Sequence, residues 1–114
     1  VSHPRPLTVY LQSELLARAR DLIDVGVDNY GWRRDDALVA VSQLVAAGIV
    51  ISGGDVWRND GLKPTPAYEN WYCEFHPAVI GSADVDRCGT RAREVISGYP
   101  ADAPVLFEIV CHTA

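Results

Sequence analysis

The sequence predicts an α+β domain: a small, largely antiparallel sheet of three to four strands with about three helices, in the order α-α-β-β-α-β. Three observations predict it. Two β-branched and apolar runs, Ile49-Val50-Ile51 and Val105-Leu106-Phe107-Glu108-Ile109-Val110, have the length and composition of buried strands. Three stretches place apolar residues at spacings of three and four and end on glycine, as amphipathic helices do. Between them, Tyr68 to Phe75 is dense in aromatics and alternates, as a half-buried strand does.

Residues 1–8 hold Pro4 and Pro6 and are expected to form an extended arm. A first helix is expected to begin between Thr8 and Ser13. Leu11, Leu15, Ala19, Leu22 and Ile23 form its apolar stripe, and Gly26 stops it as a left-handed residue. Val27 to Trp32 reads as an aromatic-rich and glycine-rich connection. A second helix is expected over about Arg34 to Ala47. Asp35 and Asp36 suit its positive N-terminal end, its stripe is Ala37, Leu38, Val41, Leu44 and Val45, and Gly48 terminates it.

The chain then enters its pivotal stretch, Gly48 to Arg58. Gly53-Gly54 interrupts a strand, which points to a bulge or a close backbone approach. Val56 is expected to face one way, with Asp55 and Trp57 carried outward together on the other. Asn59-Asp60-Gly61 has turn chemistry, and Pro64 and Pro66 restrict the following segment to a loop or a sheet edge. In the second strand Asn70, Tyr72 and Glu74 share one face, and Glu69, Trp71, Cys73 and Phe75 the other. Asp84 is expected to cap a third helix over 85–97, with Val85, Cys88, Ala92, Val95 and Ile96 as its inner stripe and Gly98-Pro100 as its exit. The final strand is expected to pair with one of the first two.

Length and composition narrow the function. A chain of 114 residues, 48% hydrophobic, suits one domain spanning 1–114 with one core. No apolar run is long enough to span a membrane, and no signal-peptide core is visible. The net charge is −5. Residues 1–47 carry five basic and six acidic side chains, and residues 48–114 five basic and nine acidic. That sign disfavours nucleic acid and favours a basic partner. Cys73, Cys88 and Cys111 are odd in number and lack CxxC spacing, so free thiols in a reducing cytoplasm are expected.

Chemistry finds few carriers. His3, His76 and His112 show no metal-ligand spacing, so neither a metal nor a cofactor is expected. Cys73 and His76 are three apart on a strand and face opposite ways. There is no GxSxG, P-loop or GxGxxG pattern. Asp55 with Glu69 or Glu74 could form a carboxylate pair, which is the basis for an alternative reading as a small-molecule binder or small hydrolase. The aromatics say more. Trp32 and Trp71 suit a core, whereas Trp57 beside Asp55 has the composition of a protein-binding hot spot. The expected partner surface is Asp55, Trp57, Arg58, Asp60, Glu69, Tyr72 and Glu74, on a monomer or weak homodimer.

Three motifs, in order, are Trp32-Arg33-Arg34-Asp35-Asp36-Ala37-Leu38, Gly53-Gly54-Asp55-Val56-Trp57 and Tyr68-Glu69-Asn70-Trp71-Tyr72. Together with Ala92-Arg93-Glu94 and Tyr99-Pro100, they resemble the pattern of the immunity protein 40 family of bacterial polymorphic toxin systems. The resemblance implies a cytoplasmic non-enzyme that binds and neutralises a cognate toxin domain by covering it. A basic nuclease is the toxin type that an acidic inhibitor would suit best.

Overall fold

A computed structural model describes residues 9–112. The element order is α1 (Ser13–Ala17), β1 (Arg20–Asp21), a 3-10 turn (Ile23–Val25), β2 (Tyr30–Trp32), α2 (Arg34–Ala46), β3 (Ile51–Arg58), β4 (Thr65–Tyr72), α3 (Ser82–Ser97) and β5 (Val105–Cys111). The expected α+β class holds, with five strands in the order β1-β2-β5-β3-β4 and every pairing antiparallel. The expected N-terminal arm and its Thr8 cap lie outside the described residues.

The last strand in sequence is central in space. β5 pairs with β2 on one side and β3 on the other. This explains its unbroken run: Leu106, Phe107, Glu108 and Ile109 are all buried, because both faces of the strand are covered. On one face, α2 and α3 close the main core. Trp32, Leu44, Ile51, Ile96, Phe107 and Ile109 meet there, each fully enclosed. The Trp32 indole N–H donates to the Leu15 carbonyl at 3.0 Å and pins α1 to this core. On the other face, Leu22, Val25 and Val27 lie over Leu106 and Trp57.

This two-sidedness corrects the first helix. It ends at Ala17 rather than running to Gly26, and Val27–Trp32 is not a plain connection. Leu11 and Leu15 serve the core under α2, whereas Leu22 serves the opposite face. A single straight helix cannot reach both sides of a sheet. The chain therefore crosses over as a small hairpin, with Arg20 opposite Gly31 and Asp21 opposite Tyr30. Gly26 does adopt the expected left-handed conformation, but it closes the 3-10 turn. Ile23, expected in the stripe, is exposed.

The second helix, its terminating Gly48 and the Gly53-Gly54 irregularity appear as expected. The pairing of β3 with β5 shifts register between Ile51 and Gly53. Gly54 lies directly under the Trp71 ring: an added Cβ would sit 2.3 Å from the indole and 2.3 Å from the Glu108 carbonyl oxygen. The third helix starts earlier than expected, at Ser82. Asp84 is then inside the first turn, and its carboxylate reaches back to the Gly81 N–H at 3.1 Å.

The thiol expectation is also corrected. Cys73 and Cys88 form a disulfide, with Cα atoms 5.5 Å apart, and among the described residues Cys111 alone is free. Cys73 follows β4 on its helix-facing side and Cys88 lies on the inner stripe of α3, so the bond staples the sheet edge to the helix. A separation of 15 residues carries no spacing signature, so the pairing is tertiary information. With the free-thiol argument gone, the cysteines no longer support a cytoplasmic location. No helix among the described residues is long and apolar enough to cross a membrane.

Gly54→Ala is expected to destabilise the fold by about 1–3 kcal/mol or more, because a backbone oxygen cannot step aside for a methyl group. Urea denaturation of the variant against the parent chain checks this.

Candidate functional site: the open half of the outer sheet face

The sheet face turned away from α2 and α3 is divided in two. One half lies beneath residues 22–29, and the other is open. Strand register sets which side chains reach the open half. Asp55 is opposite Asn70 on β4 and Glu108 on β5, and Gly53 is opposite Tyr72 and Val110. Asp55, Asn70, Tyr72 and Val110 are exposed, Tyr72 at 69%. With Ser52 they border a shallow concavity of about 330 Å³ over Gly53 and Gly54.

The expected alternation holds, but its consequence differs at one residue. Asp55 and Trp57 do share a face. Asp55 is exposed, whereas Trp57 is only 8% exposed, covered by the segment that carries Leu22. Trp57 is therefore not presented outward, which corrects the expectation of an exposed anchor. Its indole N–H donates instead to a Glu108 carboxylate oxygen at 3.1 Å.

Glu108 is the residue that sequence reasoning passed over. It is a buried acid, 6% exposed, in the middle of the central strand. One oxygen accepts from Trp57 and the other from the Asn29 side-chain amide at 3.1 Å. The same Asn29 amide nitrogen donates to the Ile109 carbonyl at 3.0 Å, and the Asn29 carbonyl accepts from the Leu22 N–H at 3.0 Å. Glu108 thus ties the covering segment down onto the sheet. Burial raises its pKa above the ordinary carboxylate value. The hydrogen bonds from Trp57 and Asn29 oppose that rise, and the nearby Asp55 charge adds to it. A lone acid inside an apolar strand run was the signal available for finding it.

The other expected partner residues are spread around the molecule. Arg58 ends β3 and Asp60 lies in the turn beyond it. Glu69 alternates to the helix side, where it accepts from the Tyr99 hydroxyl, and burial pushes the Tyr99 phenol up to about 12. Glu74 lies past β4, beside Arg87 of α3. Asp55 and Glu69 consequently stand on opposite faces of the sheet, and the structure does not bring them together as a carboxylate pair. Cys73, weighed as a nucleophile, is tied up in the disulfide.

The immunity protein 40 family matches residues 21–111, most of the chain. The chain belongs to the immunity protein 40 family. No curated protein and no solved structure matches the chain. The matched span begins at Asp21, the second residue of β1, and ends with β5, so it contains all of the sheet but Arg20 and both long helices of this immunity protein 40 domain. The membership makes it an immunity protein, and the partner class is a toxin.

Two consequences of the Glu108 clamp are measurable. Glu108→Ala leaves the buried Trp57 N–H without an acceptor and is expected to cost about 1–3 kcal/mol. Glu108→Gln tests the ionisation. The folded chain holds the Glu108 proton more tightly than the unfolded chain does. This contribution to stability is therefore complete below the unfolded carboxylate pKa and is lost as pH rises through the folded value. The stability difference should accordingly move in favour of Glu108→Gln as pH rises from the acid side, read from denaturation curves across a pH series.

Proposed function

We propose that this immunity protein neutralises its toxin by steric occlusion, docking through the open half of the outer sheet face. The observation that carries this reading is the exposed group Asp55, Asn70, Tyr72 and Val110 around the hollow at Gly53. Tyrosine supplies a large, stiff contact surface with few rotors to immobilise, and a shallow hollow beside it offers a seat for a partner side chain. Asp55 supplies a negative charge at that seat, in a chain with a net charge of −5. A basic toxin surface, such as a nuclease uses to hold phosphate, would be steered onto it quickly. β3 beneath is paired on both sides, to β4 and to β5, so the centre of the surface is held in shape before the partner arrives and docking orders little there.

In this reading the protein needs no reaction of its own and acts in the toxin-producing cell or its siblings, in the compartment where the toxin is active. Trp57 lies beside the surface, in the covered half of the same face. Arg58 alternates to the face opposite Asp55, Asp60 lies in the turn beyond β3, and Glu69 and Glu74 lie away from the surface. Substitutions at these four positions are expected to change affinity less than substitutions at the centre.

Asp55→Ala and Tyr72→Ala are each expected to weaken the complex with the cognate toxin domain by about 2 kcal/mol, roughly thirtyfold, as central anchors do. Titration calorimetry with the cognate toxin domain provides the reading. Two folded variants that both bind like the parent chain would place the interface elsewhere.

A further inference from the structure

The Cys73–Cys88 bond has no part in the docking face, yet it sits at the end of the strand that carries Tyr72. Its two cysteines are unequally placed. Cys88 is completely enclosed, whereas Cys73 is 8% exposed and borders an open pocket of about 590 Å³. Charges of both signs line that pocket: Arg87 and Arg91 from α3, with Glu94 from the same helix and Glu74 from the segment after β4. One Arg87 nitrogen donates to Cys73 Sγ at 3.2 Å and another donates to the Glu74 carbonyl. Arg91, one turn further along, is exposed and makes no ion pair among the described residues.

We propose that Cys73–Cys88 is a thiol–disulfide exchange site for a small zwitterionic thiol, and that opening the bond loosens the Tyr72 end of the docking strand. The arginines suit the carboxylates of such a thiol and the glutamates suit its ammonium group. The attacking thiolate reaches the Cys73 sulfur, the accessible one. A bond forms between the incoming sulfur and Cys73 Sγ, the Cys73–Cys88 bond breaks, and its electron pair leaves on Cys88 Sγ, which takes up a proton. A second thiol molecule attacks the incoming sulfur of the mixed disulfide. It departs as the oxidised small-molecule disulfide and releases Cys73 as a thiolate beside the Arg87 guanidinium. Two small thiols are oxidised and one protein disulfide is reduced.

The consequence for the strand follows from what the bond holds. Cys73 and Cys88 belong to a small apolar cluster with Val50 and Val85, apart from the main core. The Cys73 N–H closes the last rung to β3 by donating to the Ser52 carbonyl at 2.9 Å, immediately beyond the Tyr72–Gly53 pair. This coupling to docking rests on the function proposed above, whereas the exchange chemistry does not. Cys111 is no rival site, since burial pushes its thiol up to about 12.

Reduced glutathione and 2-mercaptoethanol are the probes, with reduction followed by alkylation and mass measurement. Arg91→Ala is expected to slow reduction by glutathione by about tenfold, as loss of electrostatic steering does, and to leave the rate with 2-mercaptoethanol unchanged. Equal rates for variant and parent with glutathione, equal slowing with both thiols, or a protein that carries three free thiols after air oxidation would overturn the site. Reduced protein and the Cys73→Ala/Cys88→Ala double variant are each expected to bind the toxin about tenfold more weakly than the oxidised chain. Unchanged affinity would overturn the coupling, and if Asp55→Ala still weakened the complex, the docking face itself would stand.

Discussion

A carboxylate in the middle of a buried strand must find donors or go uncharged, and Glu108 finds two. The rest of the outer sheet face follows from that requirement. Trp57 turns its N–H inward to meet one oxygen, and Asn29 closes on the other. Asn29 thereby adds a polar anchor to a segment that Leu22, Val25 and Val27 also hold on the sheet. Half of the face is sealed as a second small core. The unsealed half is left with Ser52, Asp55, Asn70 and Val110, together with Tyr72, around the hollow over Gly53 and Gly54. The boundary between support and surface therefore runs along β3 between Trp57 and Asp55, two residues that point the same way.

That boundary shapes how an immunity protein can present a binding surface. In the docking proposed above, a contact residue on β3, which is paired on both sides, loses little freedom on association, so more of its contact energy appears as affinity. The opposite face, under α2 and α3, is committed to the core through Trp32, Phe107 and Ile109. Most of the core therefore lies on the face opposite the proposed docking surface. Glu69 and Trp71 illustrate the division, since they alternate with Asn70 and Tyr72 on the same strand yet belong to the helix side.

The disulfide adds a second attachment where the sheet is thinnest. β4 is an edge strand paired to β3 alone; its Pro66 and its register shift lie at one end, and the disulfide adds a covalent hold just beyond the other, at Tyr72. The α3 helix supplies that hold through Cys88, next to a pocket with balanced charge. Stability at this corner and the chemistry of the thiol environment are therefore linked in one bond.

Much of this protein was legible in its residues. The second helix, the buried last strand, the alternation in β3 and β4 and the glycine irregularity all follow from local periodicity and from the backbone freedom of glycine, which neighbours in the chain suffice to express. The family likeness rests on motifs within the same stretches. What the tertiary structure alone decided were matters of partnership. The residues from Leu11 to Ile23 have one helical period, but they divide between two cores on opposite sides of a sheet. Trp57 and Asp55 alternate correctly, yet whether a side chain is bare or roofed depends on a segment some thirty residues earlier in the chain. Cys73 and Cys88 meet only because an edge strand and a helix pack together. Periodicity reports the direction in which a side chain leaves the backbone, and only the assembled fold supplies what it meets there.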